Sequence, residues 1–215
     1  HARDFLAEWQ GQLMVDDYGG YKALFKNGVT ELGCWAHARR KFFELHQANG
    51  SPVAAEALRR IGELYALEAQ AKDLQAEQRL ALRQQEAQPK LLEFKIWLDE
   101  TGAKVAPNSA LAKAIIYSQR RWAALERYIE SGIAPIDNNP VENSIRPIAI
   151  GKKNWLFAGS ERAGQRAAAI QTLLGTAKLN GLDPMAWLTD TLEKLPSWPN
   201  SRIDELLPLH ALAEN

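Results

Sequence analysis

Two acidic residues stand where the chain could hold a metal ion. Asp16 closes a short apolar run, Gln12 to Val15, and is followed by Asp17 and the glycine pair Gly19-Gly20. That pattern reads as a strand delivering an aspartate at its C-terminal edge, then a turn. Glu142 lies in Ile136-Asp137-Asn138-Asn139-Pro140-Val141-Glu142-Asn143. Here Asn139 suits an N-cap, Pro140 the first helical position, and Glu142 falls three residues after the cap. Carboxylates held on such elements suit hard divalent cations such as magnesium, which take oxygen ligands and keep water for a substrate phosphate. Two such ions can activate an attacking oxygen and stabilise a leaving one in phosphoryl transfer. Each residue also has a purely structural reading: Asp16 as a turn residue before glycines, Glu142 as the reciprocal half of a capping box.

Other side chains invite the same weighing. Cys34-Trp35-Ala36-His37 has the spacing of half a zinc site, but Cys34 is the single cysteine and the other histidines are His1, His46 and His210. Zinc wants four such ligands, or three plus water. A buried thiol at a strand end, with His37 hydrogen-bonded nearby, is the better reading. Arg39-Arg40-Lys41 follows on a helix, where at most two of the three can face one ligand. They either grip phosphates or flank the core residues Phe42 and Phe43.

These residues are positioned by alternating strand and helix signals. Phe5, Leu6 and Trp9 share a face in a predicted helix from His1 to Gln10, and Thr30 to Trp35 reads as a second strand. A helix from Ala36 to Ala48 ends at Asn49-Gly50. From Pro52 to Leu98 the chain is rich in strong helix formers, with Pro89 starting a new helix rather than sitting inside one. After a loop at Thr101 to Asn108, Ser109 caps a helix on which Leu111, Ile115, Ser118, Trp122, Leu125 and Ile129 form a buried stripe. Residues 50–131 therefore read as an all-helical module between two strand-bearing parts. Past Glu142, Arg146-Pro147 disfavours continuing the helix, and Asn154 to Ala158 reads as extended. A helix from Gly159-Ser160 runs to about Asn180 and is closed by Gly181. Asp183-Pro184 caps another that stops before Pro196, and a tail with Ile203, Leu206 and Leu207 packs back.

The 215 residues are 46% hydrophobic and 24% charged, an ordinary globular balance. Lys plus Arg equals Asp plus Glu at 26 each, so net charge points to no partner. Distribution does. From Asn143 to Gly181, Arg146, Lys152, Lys153, Arg162, Arg166 and Lys178 face a single acid, Glu161. Such a segment can meet phosphates, or can be only a solvated face. A lone cysteine excludes an intrachain disulfide and makes a reducing, cytoplasmic setting the default. No apolar run approaches the roughly 18 residues of a membrane span, and no signal peptide is visible. The start at His1 without methionine is expected of a fragment.

The resemblance becomes specific in six ordered blocks. They are Asp16-Asp17-Tyr18-Gly19-Gly20-Tyr21, then Cys34-Trp35-Ala36-His37 running on to Phe42, then Asp137-Asn138-Asn139 with Glu142 and Arg146-Pro147. Gly151-Lys152-Lys153-Asn154-Trp155 through Ser160 follows, then Gly175 to Gly181, then Arg202-Ile203-Asp204-Glu205-Leu206-Leu207-Pro208. Together they resemble the insertion-sequence transposases of the sixty-six family across essentially the whole chain.

That resemblance implies a mostly helical α/β protein: an incomplete RNase H-like core of the DDE type with a large all-helical insertion. Residues 1–49 would be part of the core, 50–131 the insertion, and 132–215 the glutamate-bearing part and tail. Asp16 becomes the second acid of the triad and Glu142 the third, both as magnesium ligands, with manganese able to stand in. The first acid is expected upstream of His1, which leaves catalysis by this chain alone incomplete. Arg146, Lys152, Lys153 and Arg166 would contact DNA backbone phosphates without reading sequence, and Trp155 would stack on a base or belong to the core. The partners implied are transposon ends and target DNA in a bacterial nucleoid, with room for a homo-oligomer in the DNA complex. The alternative is an inactive remnant that only binds DNA or an intact transposase. An unrelated hydrolase using paired carboxylates as acid and base would leave the basic stretch unexplained.

Overall fold

A computed structural model describes residues 5–155 and 158–209, the side chains of Lys152, Lys153 and Trp155 excepted. Strand β1 (Gln12–Val15) forms where expected. Strand β2 spans Thr30–Gly33, shorter than expected because Cys34 already serves as the N-cap of the next helix. The two pair in parallel, from Gln12 opposite Thr30 to Val15 opposite Gly33. A parallel pair needs a crossover rather than a hairpin, and a 3-10 turn at Gly19–Tyr21 with helix α1 (Lys22–Phe25) supplies it. Of the helix expected from His1 to Gln10, residues 1–4 lie outside the described residues. Helical backbone ends at Leu6, where Ala7 turns at φ 45°, and Phe5 is exposed.

Helix α2 (Trp35–Asn49) ends on Gly50 in the left-handed region, φ 64°, the conformation that favours glycine at a helix end. Helix α3 (Pro52–Gln70) opens on Ser51, whose Oγ accepts the Ala54 N–H. The long helical run breaks at 71–75 and resumes as α4 (Ala76–Leu82), a π-helical stretch at Arg83–Ala87 and α5 (Gln88–Gly102). The wider turn has a cause. Pro89 has no N–H and its ring crowds the preceding turn, and the π geometry, in which the Gln88 N–H reaches back to the Arg83 carbonyl, makes the room.

Ser109 caps α6 (Ala110–Arg120) as expected, but the helix does not run straight on to Ile129. It kinks at Arg121, φ −100° and ψ 5°, into α7 (Trp122–Glu126) and a 3-10 turn at Arg127–Glu130. Ile115, Ser118, Trp122 and Leu125 are buried, so the stripe is core on both sides of the kink. Trp35, Phe94 and Trp122 meet there with ring centroids 5.8–6.0 Å apart, and the Trp35 Nε1–H donates to the Leu125 carbonyl at 2.8 Å. Such rings carry large buried area and a specific packing geometry. Gly33 lets α7 approach β2: a Cβ there would stand 2.9 Å from the Leu125 nitrogen. Beneath the module, the buried Arg83 guanidinium is held bidentately by Glu68 at 2.6 and 2.8 Å, and donates to the Tyr128 and Ser131 carbonyls.

The chain divides into two compact units, His1–Val141 and Glu142–Asn215. Helix α8 (Asn139–Trp155) passes through Pro147 instead of stopping before it. The pre-proline preference is only a bias, and residues 143–150 are exposed, so water can take the carbonyl that Pro147 cannot satisfy. Asn154 and Trp155, expected to be extended, are the last residues of α8, and Leu156 and Phe157 lie outside the described residues. Helix α9 (Glu161–Leu179) is capped by the Ser160 Oγ accepting the Ala163 N–H, with Gly181 following at φ 72°. Helix α10 (Pro184–Lys194) is capped by Asp183. The tail returns to α10 through the Trp187 Nε1–H, which donates to the Leu206 carbonyl at 3.1 Å, and Pro208 is buried. Ile203 and Leu207 stay partly exposed.

Candidate active site

Asp16 sits exposed just beyond β1, and its Oδ1 accepts the Tyr18 N–H at 3.0 Å. This is the local turn that an aspartate makes with the backbone two residues on. It both bends the chain and orients the carboxylate. Asp17 follows at φ 83°, a left-handed backbone rare for a residue with a Cβ. Its Oδ1 is 2.7 Å from Nη1 of Arg121 and 4.0 Å from Nζ of Lys22. Arg121 is 8% exposed; the same Nη1 lies 2.8 Å from Glu31 Oε1, and Nη2 donates to the Val15 carbonyl at 3.4 Å. Tyr117 donates from its hydroxyl to the Asp16 carbonyl at 3.4 Å, and Lys41 Nζ lies 4.4 Å from the centre of its ring. Burial pushes the Tyr117 hydroxyl up to about 12. The end of β1 is thus gripped by the helical module, through the last turn of α6 and the kink after it.

A second network joins the Cys34 block to the Asp137 block. Cys34 is 1% exposed; its thiol donates to Asn138 Oδ1 at 2.9 Å, and His37 Nδ1 lies 3.2 Å from the sulfur. Desolvation by burial raises the thiol above its ordinary value. The buried thiol beside His37 is the arrangement read from the sequence. Asp137, 6% exposed, accepts the Tyr65 hydroxyl at 2.7 Å, the Asn139 Nδ2–H at 2.7 Å and the Asn139 N–H at 3.0 Å. Burial first, and the Asp137 carboxylate second, hold the Tyr65 hydroxyl far above its ordinary value. These bonds fix the turn from which α8 starts, one residue earlier than its expected cap implied.

Glu142 is half-buried on the first turn of α8; Asp16 belongs to the first unit and Glu142 opens the second. Arg146 is exposed on α8, and Arg162 and Arg166 are exposed one turn apart on α9. The side chains of Lys152, Lys153 and Trp155 lie outside the described residues. Among the described residues, no group of three or more His, Cys, Asp or Glu side chains is placed to hold a metal ion. Sequence reasoning missed Arg121, Tyr117, Glu31 and Tyr65. Their partners lie 72 to 106 positions away for the hydrogen bonds made, and no local pattern marks such pairings.

The blocks around Asp16, Cys34, Asp137 and Glu142 all fall within the stretch that one family model matches. The chain belongs to the Transposase IS66 family, whose model matches residues 1–166, and residues 172–209 match the IS66 C-terminal element. It is 37% identical to the uncharacterized protein y4hP of Sinorhizobium fredii over 97% of this chain and 41% of that protein. It is 42% identical to y4qI of the same organism over 94% of this chain and 39% of that one. The chain therefore spans about two fifths of the length of these relatives. A short stretch, 13% of the chain, is 64% identical to the uncharacterized protein YjgZ of Escherichia coli. No solved structure matches. No helix among the described residues is long and apolar enough to cross a membrane.

Proposed function

We propose that this chain is part of the catalytic region of a DDE-type DNA transposase, with Asp16 and Glu142 as two of its three metal-binding acids. The observation that carries the reading is the family match over residues 1–166, which contains both acids. In this reading residues 1–49 and 132–215 belong to an RNase H-like core and 50–131 to its helical insertion. The donor set fits magnesium or manganese: Asp16 offers an exposed carboxylate at a strand end, oriented by the Tyr18 N–H, and hard cations prefer such oxygens. When bound, the metal would activate the attacking oxygen and neutralise charge on the phosphate. The chain's own contribution is positioning. Arg146, Lys152, Lys153 and Arg166 hold DNA phosphates, and the rigid turns after β1 and before α8 hold the carboxylates. Element ends, target DNA and further copies of the protein are the partners, in a bacterial nucleoid.

The test is magnesium-dependent cleavage of labelled element-end DNA by the full-length protein. Asp16→Asn and Glu142→Gln keep shape and remove charge, so each should abolish cleavage while leaving DNA binding in place. Normal cleavage by Glu142→Gln would reduce Glu142 to a helix-start residue. The second reading is an inactive remnant that only binds DNA or an intact transposase. It predicts DNA binding without cleavage by the full-length protein.

A further inference from the structure

Asp17, not Asp16, makes the strained step at the end of β1. An aspartate at φ 83° pays a backbone cost that glycine lacks, so something must hold it there. Arg121 is placed to do so. Its Nη1 bridges Asp17 Oδ1 at 2.7 Å and Glu31 Oε1 at 2.8 Å, while Nη2 reaches the Val15 carbonyl at 3.4 Å. One buried guanidinium thus ties the last residue of β1, the residue after Asp16, and β2. Its Nε finds no acceptor among the described residues. Tyr117, one turn earlier on α6, takes the Asp16 carbonyl. Asp16 itself makes no ion pair with Arg121, so its carboxylate stays exposed while the backbone on either side is clamped.

We infer that Arg121 is a positioning residue for Asp16: by holding Asp17 in the left-handed conformation, it aims the Asp16 carboxylate, so the helical module sets the metal-binding geometry of the core strand. The inference rests on Asp16 being a metal ligand. Groups that orient a ligand from behind typically change metal affinity or activity by about 10- to 100-fold when removed.

The decisive comparison uses full-length protein and leaves Arg121 intact. Asp17→Ala loses the ion pair and tolerates φ 83° poorly, whereas Asp17→Gly loses the same ion pair but adopts that φ freely. Two readouts are taken: manganese affinity from water-proton relaxation without DNA, and the manganese concentration giving half-maximal end cleavage. Asp17→Ala should weaken both about tenfold, and Asp17→Gly should stay within about threefold of the unsubstituted protein. Arg121→Gln should resemble Asp17→Ala, and adding Asp17→Gly to it should recover most of the loss. Equal behaviour of Asp17→Ala and Asp17→Gly overturns the inference, and so does an Arg121→Gln protein that glycine at 17 fails to rescue. Asp16→Asn is the separate control: if it binds manganese and cleaves normally, the assignment of Asp16 fails, and this inference with it.

Discussion

Replacing Tyr65 with phenylalanine removes one oxygen from the network that holds the start of α8, and the single cysteine reports the result. The Tyr65 hydroxyl donates to Asp137 at 2.7 Å in a half-buried setting. Hydrogen bonds to charged groups contribute about 1.5–3 kcal/mol. Asp137 keeps both donors from Asn139 in the variant, so no orphaned charge is added and about 2 kcal/mol is the expected loss. Cys34 is sealed by Asn138, the neighbour of Asp137 on the same turn. A thiol reagent reaches it only when that turn lifts away. If lifting becomes easier by about 2 kcal/mol, Cys34 should react about 30-fold faster in Tyr65→Phe. The urea midpoint should fall by about 1 M, taking a slope of about 2 kcal/mol/M. Labelling is followed by the absorbance of released thionitrobenzoate, with Cys34→Ala as the blank. A variant whose midpoint falls while Cys34 labelling is unchanged would show that Tyr65 supports the fold without controlling the 137–139 turn. A variant unchanged in both would refute the clamp.

Glu68→Gln leaves the buried Arg83 guanidinium without its counter-charge and should cost about 3–5 kcal/mol in urea unfolding, whereas Arg83→Met with Glu68→Leu should regain most of that. Tyr117, at about 12 in the fold against 10.0 as its ordinary value, stays protonated when folded while the unfolded chain ionises. Its contribution is therefore complete below about pH 10 and is lost as pH rises towards 12, so alkaline unfolding should be less steep in Tyr117→Phe. Replacing both Lys152 and Lys153 with alanine should lower the slope of log DNA affinity against log salt by about two at most, and an unchanged slope would remove them from the interface.

Local chemistry made much of this protein legible. Strand β1 ending just before Asp16, the serine caps at Ser109 and Ser160, the aspartate cap at Asp183 and the glycine stops at Gly50 and Gly181 appear where neighbouring residues alone demand them. The Ile115-to-Leu125 stripe is buried as its spacing required. Six ordered blocks carried the family, which the match over residues 1–166 bears out. Other features turned on tertiary context. A proline bias yielded at Pro147, where exposed backbone can be hydrated, but reshaped the helix ahead of Pro89, where the chain answered with a π turn.

The sequence by itself determined most helix and strand ends, and that Asp16 follows β1 and Glu142 falls in the first turn of α8, because caps, turns and periodicity act within a few residues. What only the tertiary structure decided is what holds those ends. The kink that turns Arg121 towards Asp17, and the meeting of Cys34 and Tyr65 with the Asp137–Asn139 turn, join residues 72 to 104 positions apart. Such pairs exist only once the helical module has packed against the strands, since no neighbouring residue specifies an ion pair or a buried hydrogen bond to a partner that folding alone brings near.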